Sequence, residues 1–313
     1  MKKIALLLLV AIFSSGVFAQ EIQKVAKAKN EALSGAPADT AKKRWFIQGS
    51  TGLTFSQAAF SNWAAGGQNS LGLSALLNMK INYKKNKHAW SNTIDLGYGF
   101  QVLGKSKEAK FSKINDKIEL TTAYGFELDQ KEHWYLTVLA NFRTQFDKGY
   151  NYPNDSVVLS KFMAPGYLIV GVGITYTPEN WFYLYLSPSS GRFTFVLDTA
   201  LANQGAYGVE KGKKFRGEFG PYLRADLNKD LTKNINLTST LELFTDYLKG
   251  FGNIDVNWNL SLTMNVNNWL AASIQTQLIY DNDIMIQSGP DELPGPRTQF
   301  KEMLGIGLSY KIN

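Results

Sequence analysis

Large apolar and small polar residues alternate along most of the chain after residue 44. The longest unbroken example runs from Ile254 to Val266, where one face reads Ile, Val, Trp, Leu, Leu, Met, Val and the other Asp, Asn, Asn, Ser, Thr, Asn. A repeat of two places successive side chains on opposite faces of a β-strand. A strand that crosses a bilayer at a tilt needs about 9–11 residues, with one face in lipid and the other in water. This segment therefore predicts a transmembrane strand.

The same alternation predicts twelve strands. They cover, in approximate bounds, residues 45–56, 71–83, 90–102, 118–128, 134–145, 167–177, a segment from 181, and then 216–227, 235–247, 254–266, 269–286 and 298–312. Short connections alternate with longer ones along this series. The short ones are 84–88, 129–133, 178–180, 229–234 and 267–268, and the longer ones are 57–67, 104–112, 147–165, 187–214 and 287–297. Short turns at one end and long loops at the other are typical of outer-membrane barrels.

Five of the seven tryptophans begin predicted strands, directly after the amino-terminal segment or a short connection. They are Trp45, Trp90, Trp134, Trp181 and Trp269. A ring of tryptophans at one end of the strands is the interfacial girdle of a membrane barrel. The sequence therefore predicts an all-β fold: a transmembrane antiparallel up-and-down β-barrel of about twelve strands, of the outer-membrane type, over residues 44–313.

The amino terminus predicts export. Two lysines precede an apolar run over residues 4–13, and Val17-Phe18-Ala19 offers a small-residue cleavage site, so residues 1–19 are predicted to be a signal peptide. Residues 20–43 are polar, rich in Ala and Lys, and lack strand periodicity, which predicts a flexible periplasmic arm. With an even number of strands, both termini are expected in the periplasm of a Gram-negative bacterium, and the barrel in its outer membrane.

Composition narrows the chemistry. The chain contains no cysteine, which excludes disulfides, thiolate catalysis and thiolate metal sites. The net charge of +7 comes largely from exposed lysine runs, whose ammonium groups could contact the phosphates of nucleic acid or of lipid. In an exported barrel the second alternative is favoured. The expected partners are therefore outer-membrane lipid and, in one alternative, other outer-membrane proteins, with no nucleic acid.

The two histidines argue against catalysis. His88 and His133 fall in short periplasmic turns, whereas Ser187, Ser189 and Ser190 are expected at the opposite, loop end. A nucleophilic serine and its histidine base must lie within hydrogen-bond reach of each other, and here they would be separated by the membrane thickness. We therefore predict no enzyme activity, no catalytic residues, no metal site and no cofactor.

Charged residues occupy lumen-facing positions of the predicted strands. They are Asp95, Glu119, Glu127, Arg143, Arg216, Glu218, Arg224, Asp226, Glu242 and Asp255. One interpretation is a pore lining that selects solutes by charge. The other is an interior in which opposite charges pair and fill the barrel, because twelve strands lie between filled eight-stranded barrels and open porins. The sequence leaves both open.

Three segments are predicted to be loops at the long-loop end. They are Ser61–Ser70, Lys161–Tyr167 and Tyr185–Arg192. Gly66 and Gly67 do not form a phosphate-binding motif, because no Lys-Ser/Thr and no helix follow them. We expect instead a loop folded into the barrel, with Trp63 filling the lumen, and Trp63 and Arg192 as candidates for binding.

These three segments also resemble a known family. Ser-Asn-Trp-Ala-Ala-Gly-Gly-Gln-Asn-Ser, Ala-Pro-Gly-Tyr-Leu and Leu-Ser-Pro-Ser-Ser-Gly-Arg are similar to segments of an uncharacterised family of Bacteroidetes outer-membrane proteins, domain of unknown function 3078. The resemblance covers most of residues 44–313 and implies an outer-membrane setting in that phylum. The family has no assigned activity, so it implies no role for any residue.

The sequence therefore supports two functional hypotheses. The first is a porin-like channel or transporter for small solutes or lipidic molecules. The second is a non-enzymatic structural or accessory subunit of a larger outer-membrane assembly. An occluded lumen favours the second hypothesis, and a water-filled lumen favours the first.

Overall fold

The computed structural model describes residues 44–58, 70–103, 110–129, 131, 133–150, 155–179, 181–266, 271–286 and 293–312. The predicted signal peptide and periplasmic arm lie outside these ranges. The strands are β1 (Trp45–Ala58), β2 (Ser70–Lys85), β3 (His88–Leu103), β4 (Lys110–Glu127), β5 (Trp134–Thr144), β6 (Gly149–Tyr150), β7 (Val158–Ser160), β8 (Gly166–Glu179), β9 (Phe182–Phe195), β10 (Phe215–Thr232), β11 (Ile235–Phe244), β12 (Asp255–Asn265), β13 (Ala271–Tyr280), β14 (Met285–Ile286), β15 (Gly295–Pro296) and β16 (Gln299–Ile312).

Twelve of these strands form a closed antiparallel barrel within the described ranges. Its order is β1-β16-β13-β12-β11-β10-β9-β8-β5-β4-β3-β2. The first and last strands pair directly, with Gly49 opposite Ile312 and Leu53 opposite Leu308. Closure satisfies every strand edge, which the hydrocarbon of a bilayer requires. The predicted fold is thus confirmed, and the four remaining strands form two short hairpins, β6–β7 and β14–β15, in the long connections.

The outer face of the barrel is apolar. On β5, Trp134, Leu136 and Val138 are exposed, whereas the intervening Tyr135 and Thr137 are buried in the interior. A soluble protein would place its large apolar residues inside, so this inversion matches a barrel with lipid around it. The outer face explains the strict alternation of the sequence, because a period of two separates lipid-facing from lumen-facing positions.

One short helix, α1 (Thr199–Gln204), lies in the connection between β9 and β10 and is followed by a 3₁₀ turn at Ala206–Gly208. Among the described residues, no helix has the length and apolar character needed to cross a membrane.

The structure corrects the predicted loop at Tyr185–Arg192. These residues belong to β9, so Arg192 and the three nearby serines lie on the barrel wall and not at a loop end. A bulge explains the error, because Val172 pairs with Ser189 while Ile174 pairs with Leu186. The extra residue reverses the alternation along the strand. A second bulge, in β3–β4 pairing after Gly99, accompanies a β4 that starts at Lys110, inside a predicted loop.

Candidate functional site

The barrel interior is crossed by a network of ion pairs centred on Glu242. Its carboxylate accepts hydrogen bonds from the guanidinium of Arg143, from Arg224 at 3.0 Å, from the Tyr222 hydroxyl at 2.6 Å and from the Asn257 amide at 2.7 Å. Strands β5 and β11, which carry Arg143 and Glu242, are four strands apart around the barrel. The Arg143–Glu242 pair therefore spans the lumen and ties two distant parts of the wall together.

The same network continues along β10. Arg224 donates to Asp226 at 2.7 Å and 3.2 Å, and Thr240 donates to Asp226 at 2.6 Å. Arg224 is only 4% exposed. Buried charges are tolerated when each one is paired and hydrogen-bonded, as they are here.

Aromatic side chains fill the lumen next to these ions. The buried cluster comprises Ala123, Leu139, Tyr183, Tyr185, Tyr222 and Phe244. A cavity of about 20 Å³ remains beside it, between Thr93, Tyr183 and Arg224. That volume holds about one water molecule. The lumen along β5 to β11 is therefore filled, and we call this part the packed half.

A second group of charges lies toward the long loops. Arg192 donates from Nε to Glu218 at 2.9 Å and lies 2.6 Å from Asp255, while Arg216 pairs with Glu218 at 2.7 Å and with Asp283. Oxygens of these three carboxylates lie within 4.8 Å of one another, a spacing that a cation could bridge. Each of these carboxylates already pairs with Arg192 or Arg216, so we derive no metal site here.

The connections 155–165 and 196–214 pack together above this group, and we call them the cap. Its buried residues are Ala164, Val196, Leu201, Ala202 and Val209. The Tyr207 hydroxyl donates to the carbonyl of Leu159 at 2.6 Å, and the carbonyl of Gly208 accepts from Arg216 on the barrel wall at 3.3 Å. The cap thus has a small apolar core of its own and is fixed to the wall.

Asp198 holds the cap together through two contacts. It accepts a hydrogen bond from the Leu201 amide at 3.0 Å, which caps the amino end of α1, and it pairs with Lys161 in the other connection. The Lys161 ammonium, followed by the Leu201 amide, lowers the pKa of the Asp198 carboxyl below its ordinary value of 3.8. Because the folded-state pKa is depressed, this stabilisation is complete above the ordinary value and disappears as the pH falls through the folded-state pKa.

We expect Asp198→Ala to loosen the cap at neutral pH, as acid does in the unaltered protein. Loss of a side-chain cap costs about 0.5–2 kcal/mol, so amide hydrogen exchange in 199–205 should accelerate about two- to thirtyfold. Glu210→Ala, an exposed change in the same connection, is the control. Unchanged exchange in the Asp198 variant would show that this carboxylate does not hold the cap.

Within the described part of the chain, the opposite part of the lumen has inward-facing side chains that are exposed, and we call it the open half. Leu76 pairs with Gly97, which lies on the same inner face of β3 as Asp95. Leu76 therefore faces inward, yet it is 36% exposed. The side chain of Lys117, which also faces inward from β4, is 48% exposed. Lys301 on β16 is exposed as well. Inward-facing side chains of a closed barrel are accessible only from its lumen, so the described residues leave space beside these three side chains.

The open half borders the ion network through two carboxylates. Glu119 pairs with Lys117 at 2.7 Å and with Arg143 at 3.3 Å. Asp95 accepts from Asn78 and lies 4.0 Å from Lys117. Both acidic groups are therefore already engaged by donors on neighbouring strands.

The predicted site residues divide between these groups. Asp95, Glu119, Arg143, Arg224 and Asp226 lie together in the lumen, Arg216 and Glu218 lie with Arg192 toward the loops, and Glu127 ends β4. Trp63, Gly66 and Gly67 lie outside the described residues. Sequence reasoning missed Leu76, Lys117 and Lys301. The alternation could have found them, since Lys117 stands two positions before Glu119 on the same face.

Four of the five predicted girdle tryptophans, Trp45, Trp90, Trp134 and Trp181, belong to the described residues and lie at the short-turn end. Trp45 packs against Tyr83 with ring centroids 4.9 Å apart, and Trp134 packs against Tyr176 at 4.3 Å. The Trp90 indole donates to Thr122, and the Lys229 ammonium lies 4.3 Å from the Trp181 ring. Trp269 lies outside the described residues. Their role as a lipid anchor stays a prediction.

Two family models match separate parts of the chain. Residues 55–150 match the model described as protein of unknown function (DUF3078). This confirms the resemblance for that part of the chain. Residues 171–288 match a second model, described as protein of unknown function, DUF481. No curated protein matches the sequence.

Solved structures with a similar course of the chain include an outer membrane channel, a translocator domain of an autotransporter and a porin. The COG4313 outer membrane channel from Pseudomonas putida F1 is 10% identical, with 88% of this chain and 100% of that one covered and a TM-score of 0.40. The translocator domain of autotransporter NalP from Neisseria meningitidis is 12% identical, with 93% and 98% covered and a TM-score of 0.33. The NanC porin is 7% identical, with 83% and 98% covered and a TM-score of 0.34.

The closed wall and the apolar outer face identify the chain as an outer-membrane β-barrel. The predicted location in the outer membrane is confirmed. The placement of both termini in the periplasm, and the bacterial phylum, stay predictions.

Proposed function

We propose that the protein is a narrow channel or transporter for small solutes, which pass through the open half of the lumen. The observation that carries this proposal is the water exposure of Leu76 and Lys117 inside a closed barrel wall. A lumen that served only to stabilise the barrel would bury such side chains, as the packed half buries Leu139 to 1% exposure.

The packed half limits the size of the solute. Ion pairs and aromatic rings occupy the lumen along β5 to β11, so the remaining path is narrower than a twelve-stranded wall alone would give. Gly97 gives up its own side-chain space to its neighbours: a Cβ atom there would lie 2.8 Å from the Asn115 amide nitrogen and 3.0 Å from the Leu76 side chain. We infer a path for small hydrophilic molecules and no passage for folded chains.

We also propose a non-enzymatic role. His88 Nδ1 lies 2.5 Å from the Tyr124 hydroxyl at the short-turn end of the barrel. The Ser187 hydroxyl donates to the carbonyl of Val172 at 2.8 Å within the barrel wall. Neither side chain has the partner that an activated serine requires. Transport depends on the lumen alone and uses neither of them.

The absence of native cysteine allows a direct test by single cysteine substitutions. We expect Leu76→Cys to react with a charged, membrane-impermeant methanethiosulfonate reagent and the single-channel current in a planar bilayer to fall, because the added group occupies the narrow path. Leu139→Cys in the packed half should not react.

Leu73→Cys serves as the matched control, because this residue lies on the same strand, faces lipid and is exposed to a similar extent. It should leave the current unchanged after treatment. If the unaltered protein conducts no current, the channel proposal is wrong. It is also wrong if modification of Leu76→Cys leaves the current unchanged.

An accessory role in a larger outer-membrane assembly is the second candidate, and the surface of the cap favours it. Leu159, Phe162 and Leu197 are exposed there, Phe162 to 58%, although they belong to connections and not to the lipid-facing strands. Exposed apolar side chains outside the membrane are typical of protein contacts. Crosslinking in cells with a photoreactive residue at Phe162 tests this role, and the same residue at the exposed Lys211 is the control.

A further inference from the structure

We propose that the barrel binds an anionic phospholipid on its outer face, at the short-turn end of β1 to β4. The lipid packs against a row of four aromatic rings, and its phosphate contacts Lys85 and His88. This inference goes beyond the proposed function, because the site lies outside the lumen and transport does not require it.

The four aromatic side chains form a continuous row across four neighbouring strands. Each is directly opposite the next in the strand register, in the order Trp45, Tyr83, Trp90 and Tyr124. The ring centroid of Trp45 lies 4.9 Å from that of Tyr83 and 6.1 Å from that of Trp90. Ser91, the residue after Trp90, lines the lumen cavity, so the row is on the opposite, outer face. Exposed rings at one level of the outer face mark the depth of the lipid headgroups.

Cationic and polar groups lie directly beyond this row, where β2 turns into β3. Lys85 pairs with His88. Lys85 follows Tyr83 by two positions and His88 precedes Trp90 by two, so alternation places both side chains on the outer face. Lys87 lies in the turn between them. Within the described part of the chain, Lys85 and Lys87 form no ion pair, and both are exposed.

The carboxylates of the adjoining strand and turn do not balance these charges on the outer face. Glu127 is directly opposite Tyr135, which is buried in the interior, so the Glu127 side chain is on the inner face. Asp129 accepts two backbone hydrogen bonds in the turn between β4 and β5, each at 2.9 Å. The turn between β2 and β3 therefore presents positive charge above the aromatic row.

His88 is held in position beside Lys85. Its Nδ1 lies 2.5 Å from the Tyr124 hydroxyl, and its ring lies 5.3 Å from that of Phe126. When the hydroxyl donates to Nδ1, the proton of the neutral imidazole is on Nε2, which is then a donor. The ammonium group of Lys85 and this N–H belong to directly paired residues, so both can donate to one phosphate group.

Aromatic rings below and cations above suit a phospholipid with a net negative charge. Indole and phenol rings settle at the level of the headgroups, and one basic group near an anionic membrane surface strengthens binding by about fivefold. Phosphatidylcholine carries the same phosphate, but its own choline cation neutralises that charge. The lipid class is therefore a phospholipid without a headgroup cation, with phosphatidylglycerol as the probe.

The test places a fluorescent label beside the site, which the absence of native cysteine permits. Val138→Cys carries the label, because Val138 is 46% exposed and directly opposite Tyr124. The barrel is inserted in phosphatidylcholine vesicles that contain a small fraction of phosphatidylglycerol with brominated chains, since bromine quenches at short range. We expect the quenching to correspond to a local enrichment of about fivefold over an equal fraction of brominated phosphatidylcholine.

Three further substitutions in the labelled protein separate the site from general charge effects. Lys85→Gln should lose most of the enrichment, whereas Lys85→Arg keeps the charge and should keep it. Lys229→Gln is the matched control, because it removes a different lysine at the short-turn end, which lies over Trp181, and it should change nothing. Heat-modifiable migration on gels verifies that each variant forms a barrel.

The outcomes bear on this site alone and not on the channel. Equal quenching by the two brominated lipids, or an enrichment that survives in Lys85→Gln, would overturn the lipid site. Excess inorganic phosphate should not displace the lipid, because it has no chains to pack against the rings. Displacement by inorganic phosphate would show that the site recognises a free anion, and the lipid proposal would then be wrong.

Discussion

Glu242→Gln will lower the free energy of unfolding by about 3–5 kcal/mol, the range found when one partner of a buried ion pair is removed. The substitution keeps the size of the side chain but removes the negative charge that holds Arg143 and Arg224. Both guanidinium groups then lie in the packed half with less compensation. The Tyr222 hydroxyl also loses a charged acceptor.

Urea unfolding in lipid vesicles, followed by tryptophan fluorescence, measures this loss. Glu179→Gln is the matched control, because Glu179 ends β8 at the exposed rim of the barrel, and such surface changes stay within about 0.5 kcal/mol. A decrease of less than about 1 kcal/mol for Glu242→Gln would mean that the network is solvated in solution and that the packed half is open.

The alternation of apolar and polar residues predicts most of the fold. The alternation on β5 and β12 separates lipid-facing from lumen-facing residues over their whole length, because lipid and water demand opposite side chains on the two faces. Barrel closure follows from the bilayer itself, which leaves no strand edge unpaired. These parts of the structure could be predicted without knowing any contact between side chains.

The candidate site could be predicted only in part. Alternation places Arg143, Glu242 and Lys117 on the inner face, but it does not say which charges meet. Partner choice depends on distances across the lumen, and β5 meets β11 through side chains that are 99 residues apart. The packed half and the open half have similar patterns in sequence, so the difference between them is a property of side-chain packing.

The predicted loop at Tyr185–Arg192 was wrong because the pairing of β9 is irregular. The segment from Tyr185 to Arg192 is rich in serine, glycine and proline, which is typical of loops. In the structure this segment is a strand, and β8 approaches it closely at the bulge: a Cβ atom on Gly173 of β8 would lie 2.1 Å from the Leu186 carbonyl oxygen. Small residues at a bulge and small residues in a loop cannot be told apart by composition.

The same reasoning makes Gly220→Ala the second substitution with a large effect. Gly220 lies at the register shift in the β9–β10 pairing, and a Cβ atom there would lie 1.8 Å from the carbonyl oxygen of Thr245 and 3.3 Å from the Cα of Asp246. Backbone cannot move aside as the end of a flexible side chain can. The chain after β11 is also held in place, since the Tyr247 amide donates to the Phe219 carbonyl at 2.9 Å.

We therefore expect Gly220→Ala to lower the free energy of unfolding by about 3 kcal/mol, the upper part of the range for overpacking, and to reduce the yield of folded barrel. Gly217→Ala is the control on the same strand, because its Cβ would meet the rings of Phe215 and Phe193 at ordinary contact distances of 3.4 Å and 3.7 Å. Equal unfolding midpoints for the two variants would show that Thr245 does not lie against Gly220. The close approach of β10 to the chain after β11 would then be absent from the folded barrel.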